Sequence, residues 1–360
     1  MPQLMPDLVL GDMQVQNYPE VAMSAINPTL SRTDEKAVIA AAEKAVEDIA
    51  RARQAIGAVI FGQEEVVERT LITVLSGGHG LLVGLPGLAK TKLVEALGTV
   101  LGLGEQRIQF TPDLMPSDIL GSEILRTDGD GTRSFHFVKG PIFAQLVMAD
   151  EINRASPRTQ AALLQSMQEY HVTIAGQRYD LPAPFHVLAT QNPLEQEGTY
   201  PLPEAQLDRF LMQIDVPYPS LEAERKILFE TTGVAEKRAV EVMTAKKLLE
   251  LQALVRRIPA GESVVEAILE LVRSARPGAV KDELDGFIDW GPGPRASQAL
   301  MLTVRARAML QGRLAPSVDD VLALAEPVLQ HRMQLSFAAR ASEQRVSVRD
   351  VVAQRKKRIG

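Results

Sequence analysis

The chain has 360 residues, of which 46% are hydrophobic and 23% charged, and this balance predicts a globular protein of one large or two ordinary domains. Its 39 lysine and arginine residues against 45 aspartate and glutamate residues give a formal charge of −6, which argues against a nucleic-acid-binding function. Because there is no cysteine, disulfide bonds and catalysis by a thiolate are excluded.

The first 34 residues are rich in Met, Pro, Asn and Ser without a period, which predicts a flexible N-terminal arm. They lack the basic and apolar regions of a secretory signal, and no apolar run approaches the 18 residues of a membrane span. We therefore expect a cytoplasmic protein without a membrane span. An Ala-rich stretch at 35–56 predicts a helix, with Asp34 as its N-cap.

Short apolar runs alternate with helical patterns across residues 59–220, which predicts an α/β fold with a parallel sheet and crossover helices. The more continuous runs are typical of strands that are buried on both faces. Five strands are predicted, at 81–83, 107–110, 146–149, 186–189 and 212–216. With the preceding helix, residues 35–220 form the predicted core domain.

The pattern of apolar residues changes after residue 220, where no further strand signal follows. Apolar residues at helical spacing predict helices around 248–255 and 264–272. Ser317 and Asp320 match a capping box that precedes another helix. Residues 221–340 are therefore predicted to form a small all-helical domain.

Two further polar features are predicted to carry no site. Residues 341–360 contain the run Arg-Lys-Lys-Arg at 355–358, which we interpret as part of a solvated basic tail. The five histidines show no metal-ligand spacing. His136 and His186 lie in apparent strands and are interpreted as structural.

A glycine-rich loop follows the first predicted strand and precedes a helix, which is the context of a phosphate-binding loop. The loop consists of Gly84, Leu85, Pro86, Gly87, Leu88, Ala89, Lys90 and Thr91, with Lys92 following. Backbone N–H groups at the helix N-terminus favour an anion there. Lys90 is predicted to reach the β- and γ-phosphates and Thr91 to ligate Mg²⁺. Ala89 replaces the usual glycine, which allows close approach if its φ is negative; the alternative is an ordinary Gly-Pro turn.

Polar residues end two of the predicted strands, and carboxyl ends of parallel strands meet at one edge of a sheet. Asp150 is expected to hold Mg²⁺ directly or through water, and Glu151 to orient and polarise the attacking water. Asn192 is expected to hydrogen-bond the γ-phosphate or that water. Taken alone, each of these residues also suits a solvated strand end or a turn.

Two arginines come later in the chain. Arg209 lies just before the last predicted strand, and Arg295 lies in a Gly-Pro-Gly-Pro-Arg-Ala run at the start of a helix. A planar guanidinium suits phosphate, and an arginine supplied by a neighbour can switch hydrolysis on. A surface salt bridge is the alternative for either residue.

Taken in order, these motifs resemble the MoxR family of AAA+ ATPases, in the helix-2-insert clade. The resembling stretches are 61–63, 84–91, 109–121, 137–144, 149–155, 189–193, 202–210 and 291–296, within about residues 51–335. The resemblance extends to Ala89. It implies a P-loop αβα core with a helical lid, bound ATP and Mg²⁺, and Gly62 and Gln63 as nucleotide-binding residues.

The resemblance also implies a homo-oligomeric ring, expected to be a hexamer, with ATP at each interface. Arg209 would be the finger that enters the neighbour's site, and Arg295 the second sensor, which links nucleotide state to lid position. Residues 120–140 and 172–183 would form hairpins near the central pore; the composition of the first also suits a hairpin. Phe135 and Phe137 are candidates for pore contacts or for core packing.

In function, the resemblance implies chaperone-like remodelling or maturation of protein partners, often with von Willebrand factor A domain proteins. One alternative is a nucleotide-gated binding scaffold with weak hydrolysis, against which Glu151 and Arg209 argue. A nucleic-acid motor is a third possibility, and the acidic charge argues against it.

Overall fold

The structure, a computed structural model, describes residues 32–127, 133–195, 198–232, 237–341 and 345–360. Residues 1–31 of the predicted arm lie outside the described residues. Helix α1 (Arg32–Gly57) begins before the predicted position, so Asp34 lies within it. The prediction that Asp34 is the N-cap is therefore wrong, because a cap must precede the helix with non-helical backbone angles.

The other strands and helices follow α1 along the chain. The strands are β1 (Gly80–Val83), β2 (Glu105–Gln109), β3 (Gly121–Thr127), β4 (Arg133–Lys139), β5 (Leu146–Asp150), β6 (His171–Ile174), β7 (Gln177–Asp180), β8 (His186–Gln191), β9 (Met212–Asp215), β10 (Ile288–Trp290) and β11 (Gln334–Leu335). The helices after α1 are α2 (Glu64–Leu75), α3 (Lys90–Leu101), α4 (Pro116–Leu120), α5 (Pro157–Glu169), α6 (Glu204–Leu207), α7 (Leu221–Thr231), α8 (Ala245–Arg257), α9 (Glu262–Ser274), α10 (Pro294–Leu310), α11 (Val318–Leu329), α12 (Phe337–Ala341) and α13 (Val348–Lys356).

A parallel five-stranded sheet lies at the centre of the core, in the order β2-β5-β8-β1-β9. Neighbouring residues of one strand face opposite sides of the sheet, so Leu82 packs with α1, α2 and α3 while Leu81 packs with α5. The result is a three-layer αβα arrangement, and the predicted α/β class is confirmed. All five predicted strands are present.

The register of the sheet sets which residues meet at each edge. Gln109 is paired with Asp150, and Val83 with Gln191, so these carboxyl ends share one edge. At the opposite edge, the Leu211 N–H donates to the carbonyl of His79, 2.8 Å away, just before β1 begins. The sheet therefore separates two edges that carry different polar residues.

Two antiparallel hairpins project from the core, as the resemblance implied. Strands β3 and β4 pair over seven residues, and β6 pairs with β7. The predicted turn of the first hairpin, at 128–131, lies outside the described residues. Phe137 stacks on Tyr179 of the second hairpin, with ring centroids 4.1 Å apart, whereas Phe135 is 70% exposed. The pairing of these rings joins the hairpins side by side.

The C-terminal region is helical, as predicted, and it contains the expected capping box of Ser317 and Asp320. It also contains an antiparallel ladder between β10 and β11, so the expectation of an all-helical domain is wrong in this detail. The ladder is only two to three residues long, which is too short to give an alternating pattern in the sequence. The domain boundaries stay predictions.

The predicted solvated tail is wrong for its first arginine. Arg355 is fully buried in α13 and forms an ion pair with Asp282. Val351 and Val352 are also buried, and Arg355 follows Val351 by four residues, so both lie on one helix face. Helical spacing places Arg355 inside, which the composition of the run did not indicate. Within the described chain, no helix is long and apolar enough to cross a bilayer.

Two buried histidines hold the amino edge of the sheet in their neutral form. His79 accepts a hydrogen bond from the Val187 N–H (2.9 Å) and donates to the Met167 carbonyl (3.1 Å). His186 donates to the Gly78 carbonyl (2.8 Å) and accepts from the side chain of Gln252. Burial lowers the pKa of His79 to about 3 and that of His186 to about 4. His186 is therefore structural, as interpreted from the sequence.

We expect acid to destabilise the fold through these histidines. Below pH 6.5 these histidines become protonated in the unfolded chain but stay neutral in the folded chain. The free energy of unfolding therefore falls as pH decreases through that value. From pH 7 to pH 5 the loss is about 2 kcal/mol for each histidine. Denaturant unfolding at both pH values measures it. The variant His136→Gln, at an exposed position, should show the same loss, and equal stability at both pH values would contradict the prediction.

Candidate functional site

The glycine-rich loop lies between β1 and α3 at the carboxyl edge of the sheet. Gly84 is required there because a Cβ atom would come within 2.8 Å of the Val216 carbonyl oxygen. Gly87 has a φ of +82°, which favours glycine. The Lys90 ammonium group donates to the carbonyls of Gly84 and, at 2.9 Å, of Leu85. The loop thus brings a lysine and the free N–H groups of a helix start together.

Ala89 departs from the condition set by the sequence, because its φ is +58° rather than negative. This left-handed conformation costs an alanine about 1 kcal/mol. It lies directly before the right-handed helix α3, and successive N–H groups in such a pair of conformations form a concave anion site. The strain at Ala89 is therefore part of the shape that suits a phosphate.

Asp150 ends β5 and is held from two neighbouring strands. Its Oδ1 atom accepts from the Thr190 hydroxyl at 2.5 Å, and its Oδ2 atom accepts from Arg107 at 2.5 and 3.1 Å. The Thr190 oxygen also accepts from the Glu151 N–H at 2.8 Å. One hydroxyl on β8 therefore fixes both acids of the pair.

Glu151 has a left-handed backbone, with φ +56°, directly after the strand. Its Oε2 atom accepts from the Gln109 side-chain amide at 2.7 Å and from Arg154 at 3.1 Å. Strained backbone of this kind gathers at functional sites. Burial lowers the pKa of Lys90, while the negative charges of Asp150 and Glu151 oppose that shift. The structure thus brings lysine and acids together.

Asn192 directly follows β8, two residues after Thr190, and its Oδ1 atom accepts from the Leu194 N–H at 3.2 Å. It therefore lies at the carboxyl edge, as predicted. Thr91 begins α3 after Lys90, and Lys92 follows in the same first turn. A hydroxyl and a single carboxylate are hard oxygen ligands that suit Mg²⁺ held mainly through nucleotide phosphates. No cluster of three or more metal-ligating side chains exists in the part of the chain that the structure describes.

Gly62 and Gln63 lie against the chain that leaves β9. A Cβ atom at Gly62 would meet the Cβ of Ala223 at 2.1 Å, so only glycine fits there. Gln63 is buried and donates to the Pro217 carbonyl at 2.9 Å. Its Oε1 atom is buried without a hydrogen-bond partner in the described structure. A buried acceptor without a donor is costly, and the exocyclic amine of an adenine base would satisfy it.

Arg209 and Arg295 are not brought to this edge. Arg209 lies two residues before Leu211, whose N–H donates to the His79 carbonyl at the other end of β1, and Arg295 lies 3.4 Å from Asp208. The strand separates His79 from Gly84 by roughly 15 Å. Arg209 donates to the Leu164 carbonyl at 2.6 Å. Burial lowers the pKa of Arg209, and the positive charge of Arg295 adds to this shift. The two arginines therefore form a second cluster at the amino edge.

Sequence reasoning assigned no role to three residues that orient the acids: Arg107, Gln109 and Thr190. Gln109 and Thr190 lie in the motif stretches, and each is a polar residue at the carboxyl end of a predicted strand. That position was the signal by which the sequence could have identified them. The sequence gives no such signal for Arg107, because an arginine on an edge strand is usually solvated.

Known proteins match this chain over most of its length. The model of the ATPase family associated with various cellular activities (AAA) matches residues 79–212, and an AAA lid domain model matches residues 285–354. Chaperone MoxR1 of Mycobacterium tuberculosis is 42% identical over 300 residues, covering 83% of this chain and 78% of the relative. Protein MoxR of Paracoccus denitrificans is 33% identical over 305 residues, covering 80% and 88%. The crystal structure of a candidate ATPase from Cytophaga hutchinsonii superposes with a TM-score of 0.83 at 36% identity, covering 91% of this chain and 99% of that one.

Proposed function

The chain belongs to the MoxR family of AAA ATPases, and on this premise we propose that it hydrolyses ATP as a ring in which each nucleotide lies between two subunits. One observation carries the proposal. The phosphate loop and the acids occupy one edge of the sheet, while Arg209 and Arg295 occupy the other. A single subunit cannot bring them together across roughly 15 Å of strand, whereas a second copy placed head to tail can.

Nucleotide binding is assigned to the carboxyl edge. The backbone N–H groups of residues 87–91 would surround the phosphates, because Pro86 has no N–H and that of Gly84 donates to the Gln191 carbonyl. The Lys90 ammonium would leave its two loop carbonyls for the β- and γ-phosphates. Gln63 Oε1 accepts from the base. Thr91 and Asp150 would hold Mg²⁺, and Arg107 would have to release the Asp150 Oδ2 atom for it. When bound, the ion neutralises charge on the phosphate oxygens.

Hydrolysis is assigned to Glu151, Asn192 and the arginines. The Glu151 carboxylate takes a proton from the attacking water, which requires release from Gln109 and Arg154. The Asn192 amide orients that water or the γ-phosphate. Arg209 and Arg295 of a neighbour offset the negative charge that develops during transfer. No covalent intermediate is needed.

A contact between opposite edges is heterologous, and it closes into a ring when the rotation per subunit divides a full turn. We assign six subunits from the family resemblance. The hairpins β3–β4 and β6–β7 are assigned to the central pore, where exposed Leu125 and Phe135 contact clients. Large exposed apolar side chains of this kind indicate a protein-binding surface.

The substrate class that fits is a protein partner. One relative carries the name Chaperone MoxR1, and the exposed hairpin residues suit an apolar segment of an incompletely folded chain. We assign remodelling or maturation of such clients, with von Willebrand factor A domain proteins as partners and the ATP-containing cytoplasm as the location. The contacts of Glu151 with Gln109 and Arg154 also favour one alternative, a nucleotide-gated scaffold that hydrolyses weakly.

The test is the ATPase rate per subunit across a range of protein concentrations with Mg²⁺, alongside a mass measurement of the particle. A rate that rises with concentration as rings form is the expected result, because the site is then completed by a neighbour. A constant, appreciable rate from monomers would overturn the ring. Binding of ATP with no hydrolysis by assembled rings would support the scaffold.

Lys90→Ala is expected to weaken ATP binding by about 10- to 100-fold, because the variant loses charge-assisted hydrogen bonds to the phosphates. Titration with a fluorescent ATP analogue measures the dissociation constant. Lys246→Ala removes the same charge from an exposed position on α8 and should leave it unchanged. Normal affinity in Lys90→Ala would show that the loop does not bind phosphate.

A further inference from the structure

A short 3-10 turn that follows α11 contacts the segment that carries Arg209. The turn comprises Gln330–Arg332 and directly follows α11, and we name it the clamp turn. Gln330 donates to the Gln213 carbonyl at 3.2 Å, and His331 donates to the Phe210 carbonyl at 3.0 Å. Two residues of the clamp turn therefore bind the backbone on the C-terminal side of Arg209.

Arg332 makes the most extensive of these contacts. Its Nε atom donates to Asp208 Oδ1 at 2.8 Å, and its Nη2 atom donates to the carbonyls of Asp208 (3.3 Å) and Phe210 (2.6 Å). Its Nη1 atom donates to the carbonyls of Leu211 (3.2 Å) and Val328 (2.5 Å). Each of the three guanidinium nitrogens is thus satisfied, and together they hold the backbone on both sides of Arg209.

Burial distinguishes Arg332 from the other arginines of this cluster. Its side chain is only 2% exposed, whereas that of Arg295 is 53% exposed. Burying a guanidinium is costly unless its donors and its charge are matched, which here requires both Asp208 and the carbonyls. Arg332 is therefore fixed, and it does not face a ligand.

Asp208 contacts both the buried Arg332 and the exposed Arg295. While Oδ1 accepts from Arg332, Oδ2 lies 3.4 Å from Arg295, a long contact on an exposed side chain. The phosphates of a neighbour would compete for Arg295 more easily than for Arg332. Arg295 and Arg332 share the Asp208 carboxylate, and the third arginine of the cluster, Arg209, has the negative charge of Glu169 nearby. Three positive charges therefore face two negative ones, and positive charge is left over.

We propose that Arg332 is a positioning residue, which acts through Asp208 and the backbone of residues 208–211 to present Arg209 and Arg295 to the nucleotide of a neighbouring subunit. The inference rests on the proposed ring. In the described structure the Arg209 side chain forms one hydrogen bond, to the Leu164 carbonyl, and its Nε atom is buried without a partner. Its placement therefore depends on the backbone, and the clamp turn holds that backbone to the helical region.

The test compares two buried arginines of the helical region. Arg332→Lys keeps the charge but loses the planar fork, and a displacement of about 1 Å at the neighbour's phosphate is expected to lower hydrolysis on the order of 100-fold. ATP affinity should stay within about twofold, because the subunit's own phosphate loop is at the other edge. Arg355→Lys is the matched control. Arg355 is equally buried and pairs with Asp282, so hydrolysis should be retained.

Mixed rings separate positioning from a merely structural role. Subunits of Arg332→Lys and Glu151→Gln are mixed while dilute and then concentrated to assemble. The nucleotide site of an Arg332→Lys subunit keeps its own Glu151, and it receives intact arginines whenever its neighbour is a Glu151→Gln subunit. In a randomly mixed head-to-tail ring this is the case for about half of these sites, which should therefore recover activity. Asp208→Asn keeps a hydrogen-bond acceptor for Arg332 but removes the charge that matches the buried guanidinium, so it should also lower hydrolysis and show the same recovery.

The outcomes differ for the two proposals. Arg209→Ala mixed with Glu151→Gln reports on the ring alone. If this mixture recovers activity while Arg332→Lys and Asp208→Asn do not, the positioning role is wrong and the ring stands. If Arg332→Lys hydrolyses ATP as fast as Arg355→Lys, the positioning role is also wrong. If the Arg209→Ala mixture stays inactive, the shared site is wrong, and the inference falls with it.

Discussion

Glu151→Gln should leave ATP bound and lower the rate of its hydrolysis on the order of 10³-fold, which is within the usual contribution of a positioned general base. The amide is nearly the same size as the carboxylate, but it cannot take a proton from water. Single-turnover hydrolysis and equilibrium binding of ATP, measured on the same preparation, separate the two effects. The bound nucleotide should remain ATP for far longer than in the unchanged protein.

A second variant tests the residues that hold Glu151. Gln109 and Arg154 both donate to the Glu151 carboxylate, and Gln109→Ala removes one of these hydrogen bonds. Because the carboxylate itself remains, hydrolysis should not fall to the level of Glu151→Gln. Glu266→Gln makes the same chemical change on an exposed position of α9 and serves as the control. Unchanged turnover in Glu151→Gln would remove this residue from the reaction and favour another base.

Arg209→Ala is expected to have an effect of similar size, a loss on the order of 10³-fold in hydrolysis, because an arginine finger contributes at least that much in related reactions. ATP binding should change little. The variant also loses the hydrogen bond to the Leu164 carbonyl, which costs about 1 kcal/mol of folding stability. Assembly must therefore be measured with the ATPase rate, at a concentration where rings of the unchanged protein persist.

A control of the same charge is available on the helical region. Arg273→Ala removes an exposed arginine from α9, and it should leave hydrolysis unchanged. An Arg209→Ala ring that is assembled and fully active would show that Arg209 is no finger. Arg295→Ala should have a smaller effect than Arg209→Ala, because Arg295 is exposed and only loosely held by Asp208.

The core strands and the phosphate loop could be predicted because their signals are local. An apolar run, a glycine-rich turn and a following helical period occupy adjacent residues, and each has a physical meaning without the rest of the fold. The parallel arrangement then follows from the alternation, and it places Asp150 and Asn192 at one edge. The same reasoning predicted that Glu151 and Lys90 lie at that edge, where the structure places them.

Residues whose meaning depends on distant contacts could not be predicted. Arg332 contacts Asp208 across 124 positions of sequence, and Arg107 contacts Asp150 across 43. Nothing in the local sequence of either arginine indicates its partner. The buried Arg355 was misassigned because charge alone was considered, and the helical spacing that turns it inward was not. The positive φ of Ala89 depends on the shape of the whole loop.

The path of the chain between the two acids and Thr190 has a mechanical consequence. Beyond Glu151 the chain runs along α5 to the far edge, turns through the hairpin β6–β7, and returns along β8 to Thr190, which is hydrogen-bonded to Glu151. Glu151 and Thr190 thus lie together at the carboxyl edge of the sheet, and the hairpin between them carries Tyr179, which is stacked on Phe137 of the other hairpin. Because Phe137 and Tyr179 are stacked, we expect a displacement that reaches β6–β7 to be passed to β3–β4 as well. Replacing either ring should uncouple the two hairpins.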